Sequence, residues 1–185
     1  MTPRTTSRPR RRHAAVAAAA AGLLMAGLSA PTANAQPASA ALLCTGYETA
    51  TYQPGLTLTQ RQTAVTATGA VGPCAGTDTQ HTGGGISFQG EGQLSCTGGN
   101  SSGSGLITWS NPQTTPSAFT FTGGVSLRPG GVSVLVLTGQ VQSGDFQESQ
   151  ITVEIALVPA LTETLQCTTA NGLSTSSGPL TVQLL

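Results

Sequence analysis

The chain has 185 residues, of which 8% are charged and 4% aromatic, and its seven basic residues balance its seven acidic ones. Five of those seven arginines lie between Arg4 and Arg12, so residues 36–185 keep two cations against seven acids and carry a formal charge of −5. A region with so few cations lacks the positively charged surface that binds nucleic acids and anionic membranes. We therefore expect neither of them as a partner.

The N-terminal region predicts export. The basic residues Arg4–Arg12 precede an uncharged run of alanine and leucine over residues 14–30, and Ala33-Asn34-Ala35 supplies the small residues that a signal peptidase recognises before Gln36. The apolar run is shorter than the roughly 20 residues that span a bilayer, which disfavours a retained anchor. Residues 1–35 are thus interpreted as a signal peptide, with the general secretory route favoured over a twin-arginine one, and the mature protein is expected to be secreted.

All four cysteines lie after the cleavage site, and an even number of cysteines in a secreted chain predicts disulfides. Four cysteines allow three pairings. We favour Cys44–Cys74 with Cys96–Cys167, because a hairpin that turns within residues 54–60 places Cys44 opposite residues 64–76. No C-x-x-C spacing is present and only one histidine follows the signal, so the sequence predicts neither a metal site nor a cofactor.

Alternating apolar and polar residues predict strands along most of the mature chain, whereas helical periodicity is nearly absent. A first hairpin is expected to turn at Pro54-Gly55, and residues 98–103 are expected to form a loop. The apolar run 132–137 predicts a strand covered on both faces. Gly90 and Gly92 indicate a bend, the close approach of an aromatic such as Trp109, or access for a ligand. The predicted strands are 45–53, 57–70, 86–97, 105–110, 117–127, 132–141, 148–158 and 179–185.

These patterns predict an all-β fold: an antiparallel β-sandwich or an up-and-down β-barrel of about eight or nine strands, with two disulfides. Residues 44–185 form a single domain in this interpretation, and residues 36–43 precede it as a flexible segment. That segment is either a frayed terminus or an extended peptide received by a partner protein. The candidate partner-binding residues are Gln36, Pro37, Ala38, Ser39, Ala40, Ala41, Leu42 and Leu43.

Few residues of the mature chain suit catalysis, and we predict no catalytic residue. His81 lies near Asp78 in a glycine-rich loop and is interpreted as a solvated histidine, because no nucleophile motif accompanies it. Glu91 and Glu154 lie on predicted strands, yet any two exposed acids on a small sheet offer as good a carboxylate pair for a glycosidase. Trp109 shares a strand face with Ile107 and is predicted to pack in the core rather than stack on a sugar.

Two phrases carry a resemblance to known proteins: Gly92-Gln93-Leu94-Ser95-Cys96-Thr97-Gly98-Gly99 and Gly105-Leu106-Ile107-Thr108-Trp109. With the signal and the Thr/Gly/Ser-rich composition, they resemble small secreted actinobacterial proteins, mostly streptomycete, of unknown function. The layout of residues 36–43 is more loosely similar to adaptor subunits of streptomycete umbrella toxin particles, whose N-terminal tail engages a degenerate protease-like partner.

The missing catalytic groups and the disulfide-linked β scaffold together lead us to expect a non-enzymatic binding or adaptor protein that contacts another protein outside the cell. Two alternatives stay open. One is a secreted hydrolase that uses His81 or the Glu91/Glu154 pair. The other is a secreted protease inhibitor, which size and disulfides alone suggest.

Overall fold

A computed structural model of the chain describes residues 42–127, 133–157 and 165–185, and eight strands account for most of them. Each strand pairs antiparallel with the next along the chain, and the last pairs with the first, so the sheet closes into an up-and-down barrel. The barrel is one of the two folds that the sequence predicts, and that prediction is confirmed. The strands are β1 (Leu42–Leu56), β2 (Arg61–Gly76), β3 (Gly84–Ser95), β4 (Gly98–Trp109), β5 (Ser117–Leu127), β6 (Ser133–Ser143), β7 (Gln150–Leu157) and β8 (Leu173–Leu184).

The core lies inside the barrel, where the apolar residues of each alternating strand meet. In β7, Ile151, Val153 and Ile155 are buried while the intervening residues are half-buried. β8 repeats the pattern with Leu180 and Val182, both almost fully buried. An eight-stranded barrel has an interior just wide enough for side chains to fill, and burial of each large apolar side chain contributes about 1.5–3 kcal/mol.

The apolar stretch of β6 is shielded on both faces, as its sequence predicts. Val134 and Leu137 are buried, and Leu135 and Val136 between them are half-buried. Successive residues of a strand point to opposite faces, so this part of β6 is covered inside and outside the barrel.

Glycines on β3 and β4 make room for two phenylalanine rings of β5. A methyl group on Gly90 would lie 3.1 Å from Cζ of Phe121 and 2.6 Å from the carbonyl oxygen of Ser102. Gly105 pairs with Phe119, and a methyl group there would overlap the Phe119 ring. The close approach that Gly90 indicates is therefore present, although the ring is that of Phe121 rather than Trp109.

Two disulfides cross-link the barrel, and both predicted pairs are confirmed. Cys44 and Cys74 are directly paired residues of β1 and β2. Cys96, in the turn between β3 and β4, is bonded to Cys167, in the segment before β8. The second disulfide packs with Leu56, Leu94 and Leu173 in a small cluster at the end of the barrel where β1 ends.

Two predicted turns are placed differently in the structure. β1 continues through Pro54 and Gly55 to Leu56, and the chain turns over residues 57–60 instead. The extension follows from the pairing of Leu56 with Leu173 of β8. Residues 98–103, predicted as a loop, open β4, because their backbone pairs with β3 on one side and, from residue 100 on, with β5 on the other.

The predicted flexible segment 36–43 is too long by two residues. Leu42 and Leu43 belong to β1, and Leu42 is fully buried between its partners Gly76 and Leu184. Leu42 is thus a core residue and is not accessible to a partner protein. Residues 36–41 and the predicted signal peptide, residues 1–35, lie outside the described residues. Within the described ranges, no helix has the length and apolar character needed to cross a membrane.

Candidate functional site

The candidate site is the barrel interior around Glu48. Every second residue of β1 faces inward, and Glu48 occupies one of these positions between Cys44 and Tyr52. Its side chain is only 2% exposed. A carboxyl group at this depth is unusual, because charged residues are rarely buried without a partner.

No side chain of the two neighbouring strands lies directly beside this carboxyl group. Glu48 pairs with Gly69 of β2 and with Gly178 of β8, so neither neighbouring strand places a side chain beside it. A methyl group on Gly69 would come within 3.0 Å of the Glu48 Cβ. The cavity next to Glu48, which we call the Glu48 cavity, has a free volume of about 20 Å³, enough for one water molecule. Its lining residues are Glu48, Ala50, Tyr52, Val65, Phe88, Ser101, Phe121, Leu135, Leu137, Ile155 and Leu157.

The electrostatics of the Glu48 cavity are those of a desolvated acid. The Oε2 atom of Glu48 is buried and has no hydrogen-bond partner among the described residues. Burial raises the pKa of Glu48 from 4.5 to about 7, because the charged form loses its hydration. The group is therefore poised to change charge near neutral pH, where a bound cation would favour the carboxylate.

Three half-buried residues, Tyr52, Leu135 and Leu157, line the side of the Glu48 cavity that lies nearer the end of the barrel where β1 ends. The Tyr52 hydroxyl group is 2.9 Å from Oγ of Ser176 on β8, which holds the ring in place. This side of the cavity is thus apolar apart from one hydroxyl group.

The opposite end of the barrel is closed by a cluster around His81. Its Nδ1 atom is 2.7 Å from Oδ2 of Asp78, and its Nε2 atom is 2.9 Å from Oδ2 of Asp145. The imidazole ring makes edge contacts with Trp109 and Phe146, with ring centroids 4.7 and 4.6 Å apart. We call these five residues the His81 plug.

Hydrogen bonds keep both acids of the plug ionised. A backbone hydrogen bond from Gln80 and the contact with His81 lower the pKa of Asp78. The hydrogen bond from His81, followed by one from the backbone of Thr115, lowers the pKa of Asp145.

The interpretation of His81 as a solvated loop residue is wrong, because the residue is only 7% exposed. Its geometry does not match a hydrolytic triad, in which one ring nitrogen faces a nucleophile. The Trp109 indole donates to Ser117, and Ser117 donates to the backbone carbonyl of Asp145. These contacts tie together the three connections at this end, so the His81 plug is a structural closure. The prediction that Trp109 packs in the core is confirmed.

The Glu91/Glu154 pair does not form a site. Glu91 points outward from β3 and Glu154 outward from β7, and these strands lie four apart in a ring of eight. The two carboxylates therefore face away from each other on opposite sides of the barrel, where they cannot flank one glycosidic bond.

The outer surface of β8, β1 and β2 has no charged outward-facing residue, which is also true of β4, β5 and β6, and it differs from them in carrying an exposed tyrosine. Tyr47 is 56% exposed at the middle of this face, and its neighbours across the strands are Ala70 and Pro179. Leu43 is also exposed; it lies beside Ala75, two outward positions from Tyr47 along β1 with Thr45 between them. The Tyr47 patch consists of Tyr47, Ala70, Pro179, Leu43 and Ala75.

In the part of the chain that the structure describes, no group of three or more His, Cys, Asp or Glu side chains is arranged to bind a metal ion. Of the residues singled out in the sequence, the structure brings His81, Asp78 and Trp109 together and adds Asp145 and Phe146. Comparison with known proteins finds no match to a protein-family model, to a curated sequence or to a solved structure.

Proposed function

We propose that the chain is a secreted, non-enzymatic binding protein that acts as an adaptor for another extracellular protein. The Tyr47 patch carries this proposal, with the disulfide-linked barrel as its rigid support. The export signal in residues 1–35 and the two disulfides both suit an oxidising compartment outside the cytoplasm.

The charge distribution around the Tyr47 patch resembles that of a protein interface. Interfaces have an uncharged core enriched in aromatic residues and a polar rim. The outward face of β8, β1 and β2 carries no charge and is flanked by Glu91 on β3 and Glu154 on β7. The face of β4, β5 and β6 is uncharged as well, so the exposed aromatic side chain of Tyr47 is what favours β8, β1 and β2. Tyrosine, like tryptophan and arginine, is enriched among the residues that contribute most to binding energy.

The Tyr47 patch is also pre-organised. β1 pairs with β2 and β8 on its two sides, and at the one shift of register with β2 inside the patch, between Cys44 and Gly46, the Cys44–Cys74 disulfide links the two strands. Thr49 and Ser177 are within 3.0 Å, and Thr51 and Thr66 within 2.6 Å, through their side-chain oxygens. A rigid surface loses less conformational entropy on binding than a flexible one, which favours recognition of a partner without rearrangement.

The test compares partner recovery from the culture supernatant of the cells that make the protein. The full chain with a C-terminal tag is purified as wild type, as Tyr47→Ala, and as Leu106→Ala, an exposed apolar residue on β4 that serves as a matched control. We expect a protein that co-purifies with the wild type and with Leu106→Ala, and an affinity for it at least about tenfold lower with Tyr47→Ala.

Two results would contradict the proposal. If the wild-type protein consistently emerges alone, the adaptor role fails. If the three proteins recover a partner equally, binding occurs elsewhere and the Tyr47 patch is not the interface. Thermal unfolding of each variant shows that any loss of partner does not come from loss of fold, since surface substitutions usually change stability by about 0.5 kcal/mol or less.

A further inference from the structure

We propose that the connection between β1 and β2 inhibits a serine protease that cleaves after large apolar residues, by placing Leu58 in the protease's specificity pocket. This connection consists of residues 57–60, which we call the Leu58 loop. It lies at one end of the barrel, whereas the Tyr47 patch is on the outer face. The inference is therefore independent of the proposed adaptor role, and the two experiments can fail separately.

Leu58 presents both its side chain and its backbone to solvent. The residue is 57% exposed, and Thr59 and Gln60 after it are exposed as well. Among the hydrogen bonds of the described residues, none involves the backbone N–H or carbonyl group of Leu58. A serine protease contacts the residue before the scissile bond in two ways, because the side chain enters the specificity pocket and the carbonyl oxygen enters the oxyanion hole. Leu58 has both groups available.

The residues before Leu58 are held by the rest of the protein. Leu56 is buried and packs against the disulfide between Cys96 and Cys167. The carbonyl oxygen of Thr57 accepts a hydrogen bond from the backbone N–H of Cys96 at 2.8 Å. A segment that is already fixed loses less conformational entropy when it binds. This support favours tight binding of the loop without rearrangement.

Two hydrogen bonds also link the two sides of the Leu58 loop. The hydroxyl group of Thr57 donates to the carbonyl oxygen of Thr59 at 3.0 Å, which joins the residues before and after Leu58. The guanidinium group of Arg61, at the start of β2, donates to the carbonyl oxygen of Gly55 near the end of β1. The backbone around the bond between Leu58 and Thr59 is thus held from both sides.

Cleavage of that bond would leave the protein in one piece. The disulfide between Cys44 and Cys74 encloses the bond, so the two fragments stay covalently linked. β1 stays paired with β8, and β2 with β3. Hydrolysis adds one water molecule across the bond, and its reversal expels that water molecule. Because the new carboxylate and amine stay close together, their rejoining is effectively unimolecular and competes with release of the product. The protease therefore stays occupied.

The side chain of Leu58 indicates which proteases the loop fits. The specificity pocket of chymotrypsin is a hydrophobic slot, whereas that of trypsin contains an aspartate that selects basic residues. None of the four residues of the Leu58 loop is charged. We therefore expect binding to proteases with an apolar pocket, and weak or no binding to trypsin.

The test measures inhibition of chymotrypsin and of trypsin by the full mature protein, each with a chromogenic peptide substrate. We expect the wild type to inhibit chymotrypsin at least about tenfold more strongly than trypsin. Leu58→Lys is expected to reverse this preference, because lysine pairs with the aspartate of the trypsin pocket. Leu106→Lys makes the same substitution at an exposed leucine of β4 and is expected to inhibit like the wild type, as is Tyr47→Ala.

Several results would overturn the inference. A wild type that does not inhibit chymotrypsin has no such loop, and undiminished inhibition of chymotrypsin by Leu58→Lys places the contact elsewhere. Loss of inhibition in Tyr47→Ala would place the protease on the Tyr47 patch. Rapid cleavage after Leu58 with full return of protease activity, followed by mass spectrometry, would make the loop a substrate. Thermal unfolding checks each variant, and if Leu58→Lys does not fold, Leu58→Ala decides by a loss of inhibition of at least about tenfold.

Discussion

Glu48 is a carboxyl group placed where an apolar side chain would stabilise the barrel more. Its neighbours on β1, Cys44 and Ala50, are buried and apolar, and so are most side chains around it. The raised pKa reports the energetic penalty of this placement, because ionisation inside the barrel lacks the hydration that it has in the unfolded chain. A residue that costs stability at neutral pH in a small protein is a candidate for function.

The penalty makes a prediction about stability and pH. An acid whose pKa is raised by folding stabilises the protein fully below its unfolded value, and that contribution is lost as the pH rises through the folded value. For Glu48 this contribution is lost between pH 4.5 and about pH 7. The difference between the two pKa values corresponds to about 3 kcal/mol in the free energy of unfolding. We expect Glu48→Gln to gain about that much stability relative to the wild type between about pH 4 and pH 9, measured from urea unfolding at each pH.

The same titration on Glu91→Gln provides the control, because Glu91 is exposed. Its stability relative to the wild type is expected to change little with pH. If the stabilities of the wild type and Glu48→Gln change in parallel over the whole pH range, Glu48 is hydrated or paired in the folded protein and the desolvation argument is wrong.

Part of this site can be predicted from the sequence. Along β1, Leu42, Cys44, Glu48 and Ala50 share one parity, so a period-2 pattern places Glu48 among inward residues. The polar neighbours Thr45 and Thr49 complete that signal. The glycines beside Glu48 cannot be identified in this way, because pairing with Gly69 and Gly178 depends on the register of β2 and on closure by β8.

The His81 plug cannot be predicted from local sequence patterns, for a similar reason. His81, Trp109 and Phe146 lie in or beside three different connections, which meet only because alternate connections of an up-and-down barrel share one end. Asp78 and His81 lie close together in the sequence, and their side chains are in contact in the structure. The second carboxylate, Asp145, is 64 residues away, and only the closed fold brings it to the ring.

Some strands can be predicted from the alternation of their apolar and polar side chains, whereas the start of β4 is a strand only because of its backbone pairing. β7 and β8 alternate strictly, and their positions follow from the sequence to within a few residues, except for the first half of β8. The start of β4, in contrast, consists of glycine, asparagine and serine, which have low strand propensity. It is a strand because β3 and β5 offer partners on its two sides, and this tertiary pairing outweighs local preference.

The glycines of β4 are therefore expected to matter through packing. A methyl group on Gly105 would overlap the Phe119 ring, which is 1% exposed in the packed core. We expect Gly105→Ala to destabilise the barrel by about 1–3 kcal/mol, as overpacking does in cores, measured by chemical unfolding. Phe119→Leu in the same chain is expected to recover part of the loss, because the smaller side chain leaves the methyl group room.

Gly85 is the matched control for that substitution. It faces outward on β3, and the nearest atom to an added methyl group is 3.9 Å away. Alanine there is expected to be neutral or slightly stabilising, since it restricts the unfolded chain without a clash. Equal stabilities of Gly105→Ala and Gly85→Ala would mean that the Phe119 ring does not lie over β4.

Closure of the sheet places the two ends of the described chain side by side. Leu42 at the start of β1 pairs with Leu184 near the end of β8, and Gln150 of β7 pairs with Leu185 through backbone hydrogen bonds. A barrel has no unpaired edges, which protects its strands from aggregation. Because the first and last strands are neighbours, the same ring of strands can form from a chain whose ends are joined and which is opened at a different connection.

This architecture predicts that a circular permutant folds. Residue 185 is joined to residue 42 through about four glycine and serine residues, which span paired neighbours in the way a hairpin loop does, and the chain is opened between Thr59 and Gln60. These two residues are exposed, and Thr59 takes part in only a local contact with Thr57. We expect both disulfides to form and the unfolding midpoint to stay within about 10 °C of that of residues 42–185 in the original order.

The control opens the same closed chain between Phe88 and Gln89, inside β3, where Phe88 is buried in the core. That opening removes a continuous strand from the ring, and we expect it to prevent cooperative unfolding and correct disulfide pairing. Mass spectrometry after proteolysis identifies the pairs, and circular dichroism follows unfolding. If the permutant opened at Thr59 fails as completely as the control, the link between β1 and β2 does more than connect neighbours: the hairpin that joins Cys44 to Cys74 would have to form first for the ring to close.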